Sequence, residues 1–208
     1  MQWRLLLRRG PLKSFTIVGD VAQASAAAGA DSWDAALTST FGDAWRLEEL
    51  TVNYRTPAQI ASAAESMAIA HGLAVTRSHA VRSSEWPVSV HPRADLLAVV
   101  DSDRTIDSAG TIAVIASASV VDEVYGQLER TLGATVGRGA AGLRRQVAVI
   151  TPQESKGLEF DSAIVVDPAL IVSEIDRGAA ALYVAMTRPT QRLHLVTDAP
   201  LPLGLSAP

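Results

Sequence analysis

The 208-residue sequence has no cysteine, few aromatic residues and no long apolar run. Without cysteine the chain has neither disulfides nor a thiolate metal site, which is compatible with a cytoplasmic protein. Its longest apolar stretches, such as LLAVV at residues 96–100, are much shorter than a membrane span. The basic N-terminus lacks the apolar segment of a signal peptide. We therefore expect a cytoplasmic protein without a membrane segment.

The sequence also lacks an excess of basic residues. Its formal net charge is -4, whereas proteins that bind phosphate backbones are usually basic. Its four histidines stand at no metal-ligand spacing, and we expect no metal site. Hydrophobic residues make up 48% of the chain, which is enough for a sizeable core.

What the sequence does contain is an alternation of β-branched runs and helical patterns. The runs predicted as strands are SFTIVGD (14–20), TIAVIAS (111–117), QVAVITP (146–152), FDSAIVVDP (160–168) and RLHLVTD (192–198). The predicted helices are TPAQIASAAESMAIAHGL (56–73), SVVDEVYGQLERTL (119–132) and DRGAAALYVAMTRPTQ (176–191). Thr56 is the expected N-cap of the first helix, Pro57 its first residue, and Gly72 lies near its end. The alternation predicts an α/β fold with a mainly parallel sheet, with ligands at the carboxyl ends of strands.

Four polar clusters follow predicted strands or border predicted helices. They are GDVAQ (19–23), NYRTP (53–57), ESKGLEF (154–160) and YVAMTRP (183–189). Each alone is more typical of an ordinary turn or a surface charge than of a binding site. Their occurrence together, in order, on one α/β frame favours a ligand site.

The longer segments around these clusters resemble the third to sixth motifs of superfamily I helicases of the UvrD/Rep type. The matching segments are IVGDVAQ, LTVNYRTP, TPQESKGLEFD and LYVAMTRP, and the resemblance spans residues 15–196. The first 23 residues are similar to the HelD-type branch of high-GC bacteria, whose members act on RNA polymerase. The resemblance implies a RecA-like (P-loop NTPase-type) fold. Residues 1–50 would be the tail of the first RecA-like domain, and residues 51–208 the second.

The resemblance also implies three catalytic residues. Arg55 and Arg188 would reach the γ-phosphate of ATP, because positive charge there stabilises the departing phosphoryl group. A guanidinium suits phosphate oxygens better than an ammonium does, since it presents a planar fork of donors. Gln23 would line the cleft and couple the nucleotide state to domain closure.

Five further residues receive binding roles from the resemblance. Tyr54, Gly157 and Glu159 belong to the expected nucleotide-binding set, with Glu159 accepting a hydrogen bond from the ribose and Gly157 allowing close approach of the backbone. Thr151 and Lys156 are expected to face a nucleic-acid strand, with Lys156 as the phosphate contact.

Two parts of an ATP site are missing from the sequence. It contains no G-x-x-x-x-G-K-[ST] loop to cradle phosphates, and no paired-carboxylate motif for Mg²⁺. We therefore expect a C-terminal fragment whose ATP and Mg²⁺ are bound mainly by an absent N-terminal RecA-like domain. The isolated chain is expected to be inactive.

The sequence departs from the helicase pattern at two places that concern nucleic acid. No aromatic residue follows Gln23 to stack on a base, and Glu154 places a carboxylate close to Lys156, where it would repel a phosphate backbone. We expect weak nucleic-acid binding by this chain, and RNA polymerase as the main partner of the full-length protein.

Three functions stay open. The first is the C-terminal part of a HelD-type ATPase that remodels or recycles RNA polymerase. The second is the same part of a UvrD/Rep-like DNA helicase or repair translocase. The third is a non-enzymatic interaction module on the same fold.

Overall fold

The computed structural model describes residues 3–10, 14–25 and 29–206, and within them the dominant feature is one parallel sheet. The strands of the described residues are β1 (Val52–Asn53), β2 (His79–Ala80), β3 (Ser89–His91), β4 (Ile112–Ile115), β5 (Val136–Arg138), β6 (Val147–Ile150), β7 (Phe160–Val166) and β8 (Pro189–Val196). Six of them form a sheet in the order β3-β8-β7-β4-β6-β5, and every neighbouring pair is parallel. The predicted α/β fold with a mainly parallel sheet is confirmed.

Helices cover both faces of this sheet. Those of the described residues are α1 (Trp3–Arg9), α2 (Trp33–Phe41), α3 (Ala58–Ala70), α4 (Leu96–Ile106), α5 (Val121–Leu132), α6 (Gly139–Gly142), α7 (Pro152–Ser155), α8 (Pro168–Glu174) and α9 (Gly178–Met186). Parallel strands covered on both sides read as continuous apolar runs, and this explains why β4, β6 and most of β7 lack polar residues. None of the described helices has the length and apolar character that a membrane crossing requires.

Alternate residues of β4 show how the two layers of the core are built. Ile112 and Val114 pack in a cluster with α4 and α5, whereas Ala113 and Ile115 pack in a second cluster with α3, α8 and α9. Successive side chains of a strand point to opposite faces, so one short strand contributes to both layers. Close packing of α8 on α9 depends on Gly178, where a Cβ atom would lie 2.2 Å from the carbonyl oxygen of Val172.

The first fifty residues contribute little to this core. Among those that the structure describes, only Ala22 and Leu37 are buried. The predicted buried strand SFTIVGD is wrong, because residues 14–20 have no strand assignment and the side chain of Val18 is 87% exposed. A β-branched run becomes a strand only when a neighbouring strand accepts its hydrogen bonds, and the described residues provide none here.

Two predicted helix boundaries also differ from the structure. Helix α3 begins at Ala58, with Pro57 rather than Thr56 at the N-cap position. The helix predicted over residues 176–191 ends at Met186, and its last residues belong to β8. The chain leaves the helix because the amide of Phe160 donates to the carbonyl of Arg188 at 3.2 Å, which joins this segment to the start of β7.

Candidate nucleotide site

Arg188 lies between the end of α9 and the start of β8, and its side chain is buried. Its guanidinium donates from Nε to the carbonyl of Val184 at 2.8 Å and from Nη1 to the carbonyl of Leu158 at 3.2 Å. Nη2 donates to Thr187 Oγ1 at 3.0 Å and to Gln23 Oε1 at 3.4 Å. All four acceptors are neutral oxygens. Within the described residues no carboxylate forms an ion pair with Arg188.

The charge of Arg188 is therefore poorly compensated. Burial lowers the pKa of its guanidinium and the nearby charge of Arg55 lowers it further, while the carboxylates of Glu159 and Asp20 only partly oppose this shift. A buried charge surrounded by neutral partners is costly, and such groups concentrate at functional sites.

Arg55 approaches the same point from the loop that precedes α3. Its Nη2 donates to the carbonyl oxygen of Thr187 at 3.3 Å, so Thr187 accepts from both arginines. Its Nη1 forms an ion pair with Glu159 Oε1 at 2.9 Å. The side chain of Arg55 is 34% exposed and that of Glu159 is 55% exposed, so solvent reaches this pair from one side.

A short turn presents Arg55. The side-chain oxygen of Asn53 accepts hydrogen bonds from the backbone amides of Arg55 at 3.2 Å and Thr56 at 3.0 Å. Such an Asx-turn holds the backbone in place without a regular strand or helix. Strand β1 is itself fixed by β2, because the amide of Val81 donates to the carbonyl of Asn53 at 2.9 Å.

Gln23 joins the N-terminal segment to this cluster. Its side-chain oxygen accepts from Arg188, its Nε2 donates to Asp20 Oδ2 at 2.9 Å, and its backbone oxygen accepts from Lys156 Nζ at 2.8 Å. Asp20 also accepts from the amide of Ala22, which shapes the turn that carries Gln23. The predicted catalytic glutamine thus contacts both a predicted catalytic arginine and the predicted phosphate-binding lysine.

The segment that opens with Thr151 is partly helical rather than a plain loop. Thr151 caps α7, accepting from the amide of Glu154 at 3.2 Å, while Glu154 Oε2 accepts from the amide of Thr151 at 2.7 Å. This reciprocal arrangement is a capping box. Arg138 Nη1 also contacts Glu154, at 2.9 Å, and its Nε contacts Asp122 at 2.8 Å.

Glu154 is consequently not a free negative charge. Burial raises the pKa of its carboxyl, but hydrogen bonds from Thr151 and the ion pair with Arg138 outweigh burial and lower it. Its carboxylate is already engaged by Thr151 and Arg138. The expected repulsion between this carboxylate and a phosphate backbone is therefore weakened by Arg138, a residue that the sequence patterns do not single out.

Gly157 and Tyr54 complete the predicted set. Gly157 has a φ of +81°, a conformation that favours glycine, and it lies in the turn between α7 and β7. That turn places Glu159 opposite Arg55. Tyr54 directly precedes Arg55 in the chain and is 77% exposed.

The structure brings some of the predicted residues together and leaves others apart. Gln23, Arg55, Glu159 and Arg188 form one contact network, with Lys156 attached through the backbone of Gln23. Thr151 does not touch this network through its side chain, which is engaged in the cap of α7. Sequence reasoning missed Asn53, Asp20 and Thr187 as supporting residues, although all three stand inside the quoted clusters.

Two residues of the candidate cluster lie at the amino ends of strands, although we expected ligands at the carboxyl ends. Glu159 and Arg188 directly precede β7 and β8, at the amino ends of these strands. The hydrogen bond from Phe160 to Arg188 fixes the two turns side by side. Among the predicted residues, Thr151 follows β6 of the six-stranded sheet, and Tyr54 and Arg55 follow β1, which pairs with β2 in a separate two-stranded sheet.

A second polar cluster lies under α4 and belongs to the core. Asp103 is buried and pairs with Arg192 Nε at 2.9 Å, and Ser162 also donates to it. His194 Nε2 lies 3.2 Å from Asp103 Oδ2, and its Nδ1 is 2.7 Å from Ser89 Oγ. Across residues 3–10, 14–25 and 29–206, no group of three or more histidine or carboxylate side chains is positioned to hold a metal ion.

The chain resembles known proteins in sequence and in fold. One matching solved structure is the C-terminal domain of a possible DNA helicase from Lactobacillus plantarum WCFS1, at 24% identity and a TM-score of 0.47, covering 75% of this chain and 91% of that chain. No curated protein matches the chain in sequence. The family described as the viral superfamily 1 RNA helicase core domain matches residues 3–197. Because this match spans nearly the whole sequence, the chain belongs to the viral superfamily 1 RNA helicase core domain family.

Proposed function

We propose that this chain supplies the second RecA-like half of an ATP-driven superfamily I motor. The observation that carries the proposal is the meeting of two arginines at Thr187, 132 residues along the chain from Arg55. One of them, Arg188, is buried without a carboxylate partner in the described residues, so its charge is available to an anionic ligand.

The residues fit a nucleoside triphosphate if a phosphate oxygen replaces one present partner of Arg188. Arg188 binds neutral oxygens, and the longest of its contacts is the 3.4 Å contact to Gln23 Oε1. A phosphate oxygen that replaced this amide oxygen would give Arg188 the counter-charge it lacks. Gln23 would then sense the nucleotide, because its side chain moves when the phosphate arrives. When bound, ATP with Mg²⁺ supplies the phosphoryl group, and we assign most of its binding to an N-terminal RecA-like domain.

The remaining site residues take supporting roles in this proposal. Tyr54 directly precedes Arg55, is exposed, and would offer an aromatic face for the base. Glu159 accepts hydrogen bonds from the ribose, and Gly157 provides the turn that Glu159 requires. Lys156 and Thr151 face the nucleic-acid strand.

We also propose that the domain boundary lies near residue 50. Residues 51–208 then form the second RecA-like domain, and residues 1–50 are the tail of the first. The near absence of buried side chains among the described residues of that tail supports this division. Polar contacts join it to the sheet domain, including Arg177 Nη1 with Asp31 at 2.8 Å and Lys156 Nζ with the carbonyl of Gln23 at 2.8 Å.

For the biological role we propose HelD-type remodelling or recycling of RNA polymerase. This role depends on the similarity of the N-terminal segment and on the absence of a stacking aromatic after Gln23. The second candidate is a UvrD/Rep-like helicase or translocase that acts on nucleic acid. The pairing of Glu154 with Arg138 favours this second candidate, because it removes one obstacle to a phosphate backbone near Lys156.

Two assays run side by side separate these roles. The full-length protein is tested for capture of core RNA polymerase, and its ATPase rate is measured with and without single-stranded DNA or RNA. The HelD-type role predicts polymerase capture and at most modest stimulation by either strand. Strong stimulation without polymerase capture would support the translocase instead. Absence of ATPase activity in the full-length protein under all these conditions would leave the interaction module.

A further inference from the structure

The ion pair between Arg55 and Glu159 joins two residues that both have proposed roles in nucleotide binding. Both residues have proposed roles toward the nucleotide, one at the phosphate and the other at the ribose, yet here each occupies the other at 2.9 Å. Arg55 cannot direct Nη1 toward a phosphate while that nitrogen donates to Glu159. The pair must open before both groups can serve a ligand.

We infer that the Arg55–Glu159 pair is a resting contact that withholds Arg55 until the ribose binds Glu159. This inference rests on the proposed function and adds a form of regulation to the same site. The ribose hydroxyls and the guanidinium compete for one carboxylate. Occupation of Glu159 by the ribose releases Arg55, so that a complete nucleoside triphosphate engages both arginines and a free polyphosphate engages them less well.

The geometry suits a contact that opens easily. Both side chains reach solvent, at 34% and 55% exposure, and exposed ion pairs contribute little to stability. The second contact of Arg55, to the carbonyl of Thr187, is long at 3.3 Å. The backbone that carries Arg55 is held separately by Asn53, so the side chain can swing without moving its loop.

Arg188 behaves differently in the same cluster. It is buried, and two of its donors are fixed by the carbonyls of Val184 and Leu158. It is therefore in place before the ligand arrives, whereas Arg55 is the movable partner. The site thus combines one preformed arginine with one that is released.

The test uses sodium tripolyphosphate, which carries the phosphates of ATP without a ribose. Its affinity for the 208-residue chain is measured by NMR titration for the wild type and for the Glu159→Gln and Glu159→Asp variants. The aspartate keeps the charge but is too short to hold Arg55 at the same distance. If the resting contact withholds Arg55, both variants bind tripolyphosphate about two- to fivefold more tightly, the range expected for loss of an exposed ion pair.

The charge-preserving variant separates this inference from simple repulsion. Tighter binding by Glu159→Gln alone would mean that the carboxylate acts only through its charge, and would overturn the resting contact. Unchanged affinity in both variants would overturn it as well.

A third variant distinguishes failure of this inference from failure of the proposed function. In an Arg55→Ala background the effect of Glu159→Gln should vanish, because no arginine remains to be released. If Arg55→Ala binds tripolyphosphate as tightly as the wild type, Arg55 is not a phosphate ligand and the proposed function fails. The contact itself is then judged from rotation of the Arg55 guanidinium in the ligand-free protein, which should be slower in the wild type than in Glu159→Asp, and equal rotation rates would overturn it.

Discussion

Arg188 and Arg192 are four residues apart and equally buried, each with 2% of its surface exposed, yet their surroundings are opposite. Arg192 faces Asp103, a buried carboxylate that pairs with it at 2.9 Å. Arg188 contacts neutral oxygens and has a second arginine, Arg55, nearby. A buried charge with a permanent ionic partner is compensated within the protein, whereas one without such a partner is a candidate site for an anionic ligand.

The pKa values of the two clusters follow this division. Burial raises the pKa of Asp103, but the nearby His194 ring, the hydroxyl of Ser162 and the charge of Arg192 outweigh burial and lower it. The carboxylate therefore stays charged beside its arginine. In the other cluster burial and Arg55 lower the pKa of Arg188. Burial disfavours the charged form of Tyr183 as well, and it raises the pKa of this tyrosine, on the helix that leads to Arg188, to about 12.

The largest expected effect is the loss of catalysis when an arginine of the candidate nucleotide site is removed. In the complete protein, Arg188→Ala or Arg55→Ala should lower the ATPase rate by about 10³-fold, because the charge that stabilises phosphoryl transfer is lost. Steady-state kinetics with a separate nucleotide-binding assay measure this. Arg144→Ala, a change at an exposed arginine on the α6–β6 connection, is the matched control and should retain the wild-type rate. Near-normal turnover in the Arg188 variant would make that residue structural.

The isolated 208-residue chain should show no ATP turnover at all, since it lacks the phosphate-binding loop. A sensitive phosphate-release assay checks this. Turnover by the purified chain that disappears in Arg188→Ala would contradict the proposed division of the ATP site between two domains.

The second largest effect concerns the stability that Arg192 provides. Arg192→Met should lower the free energy of unfolding by about 3–5 kcal/mol, because it leaves the buried carboxylate of Asp103 without its arginine partner. Urea unfolding of the chain measures the loss. Adding Asp103→Leu should recover most of it, since replacing both members of a buried pair with apolar residues is often nearly neutral. A double variant as unstable as the single one would show that the pair is needed for reasons other than its charge.

A smaller effect is expected from His91, which faces the Asp103 cluster. Burial, together with the charge of His194 on the neighbouring strand β8, lowers the pKa of His91, while the carboxylates of Asp95 and Asp103 oppose the shift. The unfolded chain, with a pKa near 6.5, then takes up the proton first as the pH falls. Stability should therefore decline as the pH drops through about 6.5, and the decline should level off below the folded pKa. Urea midpoints between about pH 8 and 5 measure this, and His91→Gln should flatten the curve. An identical curve in that variant would assign the dependence to other groups.

The smallest effect belongs to the cap of α7, which lies in neither cluster. Thr151→Ala removes the capping box and should cost about 1 kcal/mol of stability, whereas Thr151→Ser keeps the hydroxyl and should cost little. If Thr151 instead contacts nucleic acid directly, the alanine variant will lose strand binding in the full-length protein without losing stability.

Much of the fold could be predicted from the sequence because continuous apolar runs indicate buried strands. Four of the five predicted strands occur, and the helices over α3, α5 and α9 are present. The strand predicted over residues 14–20 is wrong because a strand needs a neighbouring strand, and the sequence of one segment does not show whether such a neighbour exists. Helix α4 was not predicted, because LLAVV resembles a core strand as much as a helix.

The site could be predicted only in part. The superfamily I assignment is confirmed by the family match, which spans residues 3–197 and so includes the four motif segments. The partners of those residues could not be foreseen, because Arg138 comes to Glu154 through a crossover and Arg192 meets Asp103 across 89 positions of the chain. The opposite environments of Arg188 and Arg192 are likewise invisible in the sequence, where Arg188 stands near the end of a predicted helix and Arg192 begins the predicted strand that follows it.

The most direct test of this account is the unfolding free energy of Arg188→Met measured beside that of Arg192→Met. Because Arg188 forms no ion pair among the described residues, its loss removes a poorly compensated charge along with a few hydrogen bonds. The account predicts a cost of about 1 kcal/mol or less for Arg188→Met, against about 3–5 kcal/mol for Arg192→Met. Equal losses in the two variants would contradict it, because Arg188 would then hold the fold together as Arg192 does.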